Sequence, residues 1–191
     1  MKAMEEKILK EGTVLPGGIL KVGNFLNQQI DCVFLKEIGE EIARLFQDEG
    51  VTKILTIESS GIAIAAAAGH EMGVPVVFAK KHKSSNVDGE VYATTVHSFT
   101  HGNDYRAVVA RDYLCEGDTV LLVDDFLASG NALYGLLRLV DMAGAKAVGA
   151  AIAIEKRFQR GGDDLRERGF RVESLACIES MDDGEIRFCQ V

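Results

Sequence analysis

No apolar stretch in these 191 residues approaches the roughly 18 that a membrane-spanning helix needs, so no bilayer anchor is expected. The opening MKAMEEKILKEG mixes acids with bases and lacks the apolar centre of a secretion signal. Cysteine is sparse. Cys32, Cys115, Cys177 and Cys189 show no CxxC spacing and no disulfide-scaffold density, and are read as reduced thiols of a cytoplasmic protein. The histidines form no metal-like cluster: His97 and His101 are four positions apart, but in strand-like VHSFTH that spacing separates them. Walker GxxxxGK[ST] and dinucleotide GxGxxG patterns are both missing, which removes the usual entry points of nucleotide triphosphate and NAD folds. Positive charge is in deficit. Twenty-one Lys and Arg against 29 Asp and Glu leave a net −8, which argues against nucleic acid as a general partner. Repeats, low-complexity tracts and linkers are also missing, so residues 1–191 are expected to form one domain with a substantial core.

What is present is dominated by VLLVDDFLASGNA, residues 120–132. Val120 to Val123 is a short apolar run of the kind that makes a buried parallel strand. Asp124 and Asp125 stand where that strand should end, as surface carboxylates. Ala128, Ser129, Gly130, Asn131 and Ala132 then form a small-residue turn, followed by a helix with Leu133, Leu136, Leu137 and Val140 on one face. A helix start offers unpaired N–H groups and a positive dipole end to phosphate, and Gly130 permits close approach. Two hydroxyl-seeking carboxylates beside a phosphate-seeking turn suit a sugar phosphate. A response-regulator receiver also places paired acids at a strand end. It needs them near the N-terminus, with a phosphoacceptor Asp and a Lys well downstream, and no Asp after Asp125 ends an apolar strand.

Around this motif, apolar strands and helices alternate. Residues 3–11 read as a helix with Met4, Ile8 and Leu9 inward, and the Gly- and Pro-containing stretch after it as irregular. Asp31 is the N-cap candidate of a helix reaching Glu49, with Leu35, Ile38, Ile42, Leu45 and Phe46 at helical spacing and Gly50 as its stop. Strands are expected at 53–57, 74–79, 91–99, 107–110, 120–123, 147–154 and, last, 171–176. Further helices are expected at 62–72 and 163–168. The alternation indicates an α/β fold, a mostly parallel sheet flanked by helices.

Ligands of such sheets bind outside the carboxyl ends of the strands. Three more loops leave those ends. Glu58-Ser59-Ser60-Gly61 opens an Ala-rich helix; alone, a serine turn often only caps. Lys80, Lys81, His82 and Lys83 form the densest basic cluster of an acidic chain, directly after a strand. Glu155-Lys156-Arg157-Phe158 follows the strand expected at 147–154.

The segment VLLVDDFLASGNA resembles the 5-phosphoribosyl-1-pyrophosphate (PRPP) motif of the type I phosphoribosyltransferases, with every position filled and only Asn131 at a free one. LKVGNFLNQQID, TIESSG, FAKKHK and IEKRFQ further resemble, in order and spacing, the xanthine-using branch of bacterial purine salvage. The resemblance implies Asp124 and Asp125 on the ribose hydroxyls as the catalytic pair, and residues Ala128 to Ala132 around the 5-phosphate. It implies Glu58, Ser59, Ser60 and Gly61 as the pyrophosphate loop, often with a non-proline cis peptide. It further implies a flexible lid that brings Lys81 to the pyrophosphate, with no firm register between Ser84 and Gly89. Leu20, Asn27 and Lys156 would contact the purine, under a hood formed by residues 1–30. The implied reaction is transfer of phosphoribosyl from PRPP, as its Mg2+ complex, to N9 of xanthine in a cytoplasmic homodimer. Guanine or hypoxanthine as the base, or a non-catalytic PRPP-sensing regulator, are the alternatives; a regulator needs a DNA-binding unit ahead of the PRPP domain, and the fifty or so residues before the first clear strand hold no basic recognition helix.

Overall fold

Alternating strands and helices wind in two opposite directions from one point of a mostly parallel sheet. The computed structural model describes residues 1–81, 90–97, 104–182 and 184–190. Its elements run α1 (Lys2–Glu11), β1 (Thr13–Leu15), β2 (Ile19–Lys21), α2 (Cys32–Phe46), β3 (Lys53–Ile57), α3 (Gly61–Met72) and β4 (Val76–Ala79). β5 (Val91–His97), β6 (Asp104–Ala110), β7 (Thr119–Leu127), α4 (Asn131–Met142), β8 (Lys146–Lys156), α5 (Gly161–Glu167), β9 (Val172–Ser180) and β10 (Arg187–Phe188) follow. The main sheet has the order β10-β9-β8-β7-β3-β4, parallel except for the β10–β9 pair. No helix among the described residues is long and apolar enough to cross a membrane.

From β3 the crossover through α3 leads outward to β4, while from β7 the crossover through α4 leads the other way to β8. The order therefore reverses between β3 and β7, the place where a doubly wound sheet opens a crevice. The register traces the opening. β3 and β7 pair only from Lys53↔Val120 to Leu55↔Leu122. Beyond that, Thr56 and Ile57 follow Phe78 and Ala79 of β4, whereas Asp124, Phe126 and Leu127 stay opposite Ile152, Ile154 and Glu155 of β8.

Both faces of the sheet are covered. Met4 and Ile8 of α1, Phe34, Ile38, Ile42 and Phe46 of α2, and Ile64 of α3 fill one core. Leu133, Leu136, Leu139 and Val140 of α4 join Val96 and Ala107 of the β5–β6 hairpin in the other. Asp31 caps α2 as its sequence position suggests, accepting from the N–H groups of Val33 and Phe34 at 3.2 and 3.1 Å.

Several expectations are corrected. Leu9 is 61% exposed, because only Met4 and Ile8 of α1 reach the core. α2 ends at Phe46, not Glu49; a turn follows, and Gly50, at φ +62°, lies in that turn. The motif strand does not end at Val123 but runs to Leu127, held by β8 alone. β8 likewise extends through Glu155 and Lys156, which sequence reading assigned to a loop. The last strand is β10, antiparallel to β9. The stretch after α1 holds an antiparallel β1–β2 hairpin turning at Gly17 and Gly18, both at positive φ, then a π-helical turn at Gly23–Asn27. Three-residue strands are too short to show a period. Most of the expected lid, residues 82–89 and 98–100, lies outside the described residues. β5 itself pairs with β6 along its whole length, and Val96 packs on α4 where Gly135 has no side chain: a Cβ there would sit 2.4 Å from Val96 Cγ2.

Candidate active site

The two acids of the motif are not equivalent. Because β7 continues past Val123, Asp124 is carried into the crevice and is buried rather than standing at a solvent-facing strand end. Its Oδ1 accepts from the Asp125 N–H at 2.9 Å. Burial, then the neighbouring charge of Asp125, raises the Asp124 carboxyl well above the ordinary carboxylate range, and the Lys81 charge opposes that shift. The start of α3 sits on this acid. A Cβ at Gly61 would lie 2.3 Å from Thr56 Oγ1 and 3.0 Å from Asp124 Oδ1, so only glycine fits. Thr56 Oγ1 is itself buried without a hydrogen-bond partner.

Opposite, the Glu58–Ser59 peptide is cis, as the resemblance implied. The Glu58 carboxylate accepts from the Lys81 N–H, which ties the end of β4 to this loop. The Lys81 Nζ lies 5.2 Å from the centre of the Tyr105 ring.

The small-residue turn completes the wall. Gly130 takes φ +85° as the residue before α4, and the loop is seated on α5 from behind. Gly161 N–H donates to Ala128 O at 3.1 Å. A Cβ at Gly161 would meet Ala128 O at 2.4 Å and Gly130 N at 2.5 Å.

These parts enclose one cavity of about 220 Å³. Glu58, Ser59, Ser60 and Lys81 line one side, Asp124 and Asp125 the floor, and Ala128, Ser129, Gly130, Asn131 and Ala132 the other side. Gly61 lies beneath rather than on the wall. His97, Tyr105 and Phe126 also line it and were not found from the sequence. Tyr105 and His97 arrive from the hairpin, whose second strand reads from sequence as beginning only at Ala107. Phe126 was visible only as an apolar position of the motif.

Two of the three expected purine contacts, Asn27 and Lys156, adjoin residues that line this cavity. Asn27 Nδ2 donates to Asp125 Oδ2 at 3.3 Å. Lys156 Nζ donates to Gly18 O at 2.8 Å and lies 5.5 Å from the centre of the Phe126 ring. Burial lowers the Lys156 pKa from its usual value. Leu20 is buried in the core cluster with Val22 and Phe25 and does not line the cavity. Beneath Lys156, the fully buried Glu155 accepts two hydrogen bonds from Arg166 (2.8 and 2.6 Å) and one from Ser174 Oγ (2.5 Å). That network holds α5 to β8 and β9, and so links the Lys156 end of β8 to the Gly161 seat of the phosphate-type turn.

Comparison with known proteins bears on the family and the fold. The phosphoribosyl transferase domain pattern matches residues 28–177. The chain is 52% identical over 190 residues to a xanthine phosphoribosyltransferase of Bacillus cereus (strain G9842), covering 100% of this chain and 96% of that one. It is 50% identical over 188 residues to a xanthine phosphoribosyltransferase of Limosilactobacillus reuteri (strain DSM 20016), covering 98% of each. Among solved structures, APRTase from Giardia lamblia complexed with 9-deazaadenine shares the fold at a TM-score of 0.76 and 22% identity, over 90% of this chain and 96% of that one. Adenine phosphoribosyltransferase from Rhodothermus marinus does so at 0.70 and 24%, over 92% and 98%. With a crevice at the β3/β7 reversal, paired acids on its floor and the domain pattern across most of its length, the chain belongs to the phosphoribosyltransferase family.

Proposed function

We propose that the protein is a purine-salvage enzyme that transfers the 5-phosphoribosyl group of PRPP to N9 of xanthine, giving xanthosine 5′-monophosphate (XMP) and pyrophosphate. The observation that carries the reading is the convergence on one cavity of the acidic pair, the Glu58–Ser60 loop, Lys81 and the 128–132 turn. The choice of base rests on relatives named xanthine phosphoribosyltransferase at 50–53% identity.

Transfer from PRPP builds positive charge on the ribose, as other glycosidic reactions do. Asp124 and Asp125 hold the ribose hydroxyls and stabilise that charge, while the N–H groups of the 128–132 turn and the α4 dipole hold the 5-phosphate. Ser59, Ser60, Gly61 and Lys81 receive the departing pyrophosphate beside Glu58. Magnesium enters as part of the PRPP substrate, whose oxygen atoms suit this hard cation. Residues 1–30 form the hood, in which Leu20 supplies apolar support, Asn27 an amide, and Lys156, from beneath, an ammonium toward the 6-oxo group. Catalysis rests on positioning and electrostatics, not on a covalent nucleophile. We place the reaction in the cytoplasm and the enzyme in a homodimer, as expected of this family.

Product analysis tests the assignment. Incubation with Mg–PRPP and xanthine is expected to yield XMP and pyrophosphate in equal amounts. Failure to transfer phosphoribosyl to any purine overturns it.

A further inference from the structure

Two of the four cysteines form a pair that the transfer reaction does not use. Cys177 lies on β9 and Cys189 directly follows β10. The Cys189 N–H donates to Cys177 O at 2.8 Å, continuing the antiparallel register in which Phe188 opposes Ile178. The two residues are therefore opposed across the strands, joined by that bond. Opposed residues of antiparallel strands have Cα atoms ~4.5–5.5 Å apart with side chains on one face, inside the ~4.4–6.8 Å range of disulfides. Their thiols are neighbours, and both are free and half-buried. A third group completes the cluster: the Arg157 guanidinium lies beside the Cys189 sulfur and hydrogen-bonds the Asp163 carboxylate at 3.0 Å. Cys32 and Cys115 are exposed, and among the described residues their sulfurs approach the backbone carbonyls of Ile30, Arg111 and Asp112.

We propose that Cys177 and Cys189 form a redox-active dithiol that a peroxide closes to a disulfide, and that closure acts on the base loop through Arg157. Cys189, the sulfur beside the Arg157 cation, is the attacking one. The Cys177 thiol is pushed up to about 12, chiefly by burial, with Cys189 and the Glu155 charge adding to it. That keeps Cys177 a thiol during the first step, so it acts only in the second. In the first step the Cys189 sulfur attacks one peroxide oxygen: an S–O bond forms, the O–O bond breaks, and the leaving hydroxide takes up the Cys189 proton as water. In the second step the Cys177 sulfur attacks Cys189. The S–S bond forms, the S–O bond breaks, and the departing hydroxide carries off the Cys177 proton as a second water. Two thiols are oxidised by two electrons in total, and one peroxide is reduced to two waters.

Closure takes the Cys189 sulfur that faces Arg157 into the bridge. Arg157 stands between Lys156, which holds the hood at Gly18, and Phe158, whose ring also faces Gly18. The bridge thus reaches the base side of the cavity and not the phosphate side. This kinetic consequence rests on the transferase reading, whereas the thiol chemistry does not.

The test treats the full-length protein with stoichiometric hydrogen peroxide, then maps alkylated peptides and measures kinetics. The intact mass should fall by about 2 Da through one Cys177–Cys189 linked peptide, and dithiothreitol should reverse it. Cys177→Ser and Cys189→Ser should each abolish the mass loss, and Cys32→Ser with Cys115→Ser should not. KM for xanthine should rise severalfold in the bridged protein with KM for PRPP unchanged. Singly oxidised Cys189, or links only through Cys32 or Cys115, would overturn the dithiol site. A bridged protein with unaltered KM for xanthine would overturn the coupling to the base loop. A protein inactive before and after treatment overturns the transferase reading and leaves the thiol result to stand or fall by the mass.

Discussion

The Asp124 carboxyl, buried against Gly61 and beside Asp125, binds its proton more tightly in the folded protein than in the unfolded chain, where the value is near 3.8. Stability linked to such a group is fully present below the unfolded pKa and is lost as pH rises through the raised folded pKa. At neutral pH, above the unfolded value, this group therefore opposes folding. Asp124→Asn should raise Tm at pH 7 while activity falls by orders of magnitude, because the lost charge acts where positive charge develops. Calorimetry and initial rates check both; a variant that keeps turnover, or that melts earlier at pH 7, contradicts the assignment. The acidic limb of kcat/KM should lie above the ordinary carboxylate range for the same reason. At the base end, Lys156 offers only donors, so it suits a 6-oxo group and faces the 6-amino group of adenine badly. Lys156→Ala should lose kcat/KM with every 6-oxopurine, whereas Asn27→Ala should mainly narrow the gap between xanthine and guanine, which differ at position 2. Wild-type efficiency of Lys156→Ala with xanthine contradicts this placement of the base. The acids and the small-residue turn were legible because they are contiguous in sequence. Thr56 and Tyr105 were not, since they stand on β3 and β6 and approach Asp124 only in space.

Between elements, the contact that matters most is the seat of the 128–130 turn on α5. The Glu155–Arg166 pair fastens α5 to β8, and Gly161 then touches the backbone of the turn directly. Gly161→Ala places a methyl 2.4 Å from Ala128 O, so the turn must shift. A misplacement of about 1 Å costs about 100-fold in rate, and the loss should appear in kcat/KM for PRPP. Circular dichroism should show a retained fold; an Ala variant with normal PRPP kinetics contradicts the seating. The long elements could be read from periodicity: β3 matches its expected bounds, and α3 and α4 lie where the apolar faces put them. The β1–β2 hairpin and β10 escaped notice because two or three residues carry no period. The ends of β7 and β8 were misjudged because polar residues toward their tips, Asp124, Glu155 and Lys156, remain paired in the sheet.

For the whole molecule, alternation of strand and helix was enough to indicate a parallel sheet covered on both faces. It could not reveal the strand order, since the same alternation fits several windings. The reversal between β3 and β7 is a long-range fact. It brings the 58–61 loop, from the first half of the chain, against the 124–132 motif, from the second. Function was legible further than topology, through a motif whose chemistry is local. The central claim, phosphoribosyl transfer to xanthine, is tested most directly by pyrophosphate release from Mg–PRPP with xanthine, guanine, hypoxanthine, adenine and orotate in parallel. The account expects the highest kcat/KM with xanthine, lower values with guanine and hypoxanthine, and essentially none with adenine or orotate. Preference for adenine or orotate, or no release with any base, would contradict it.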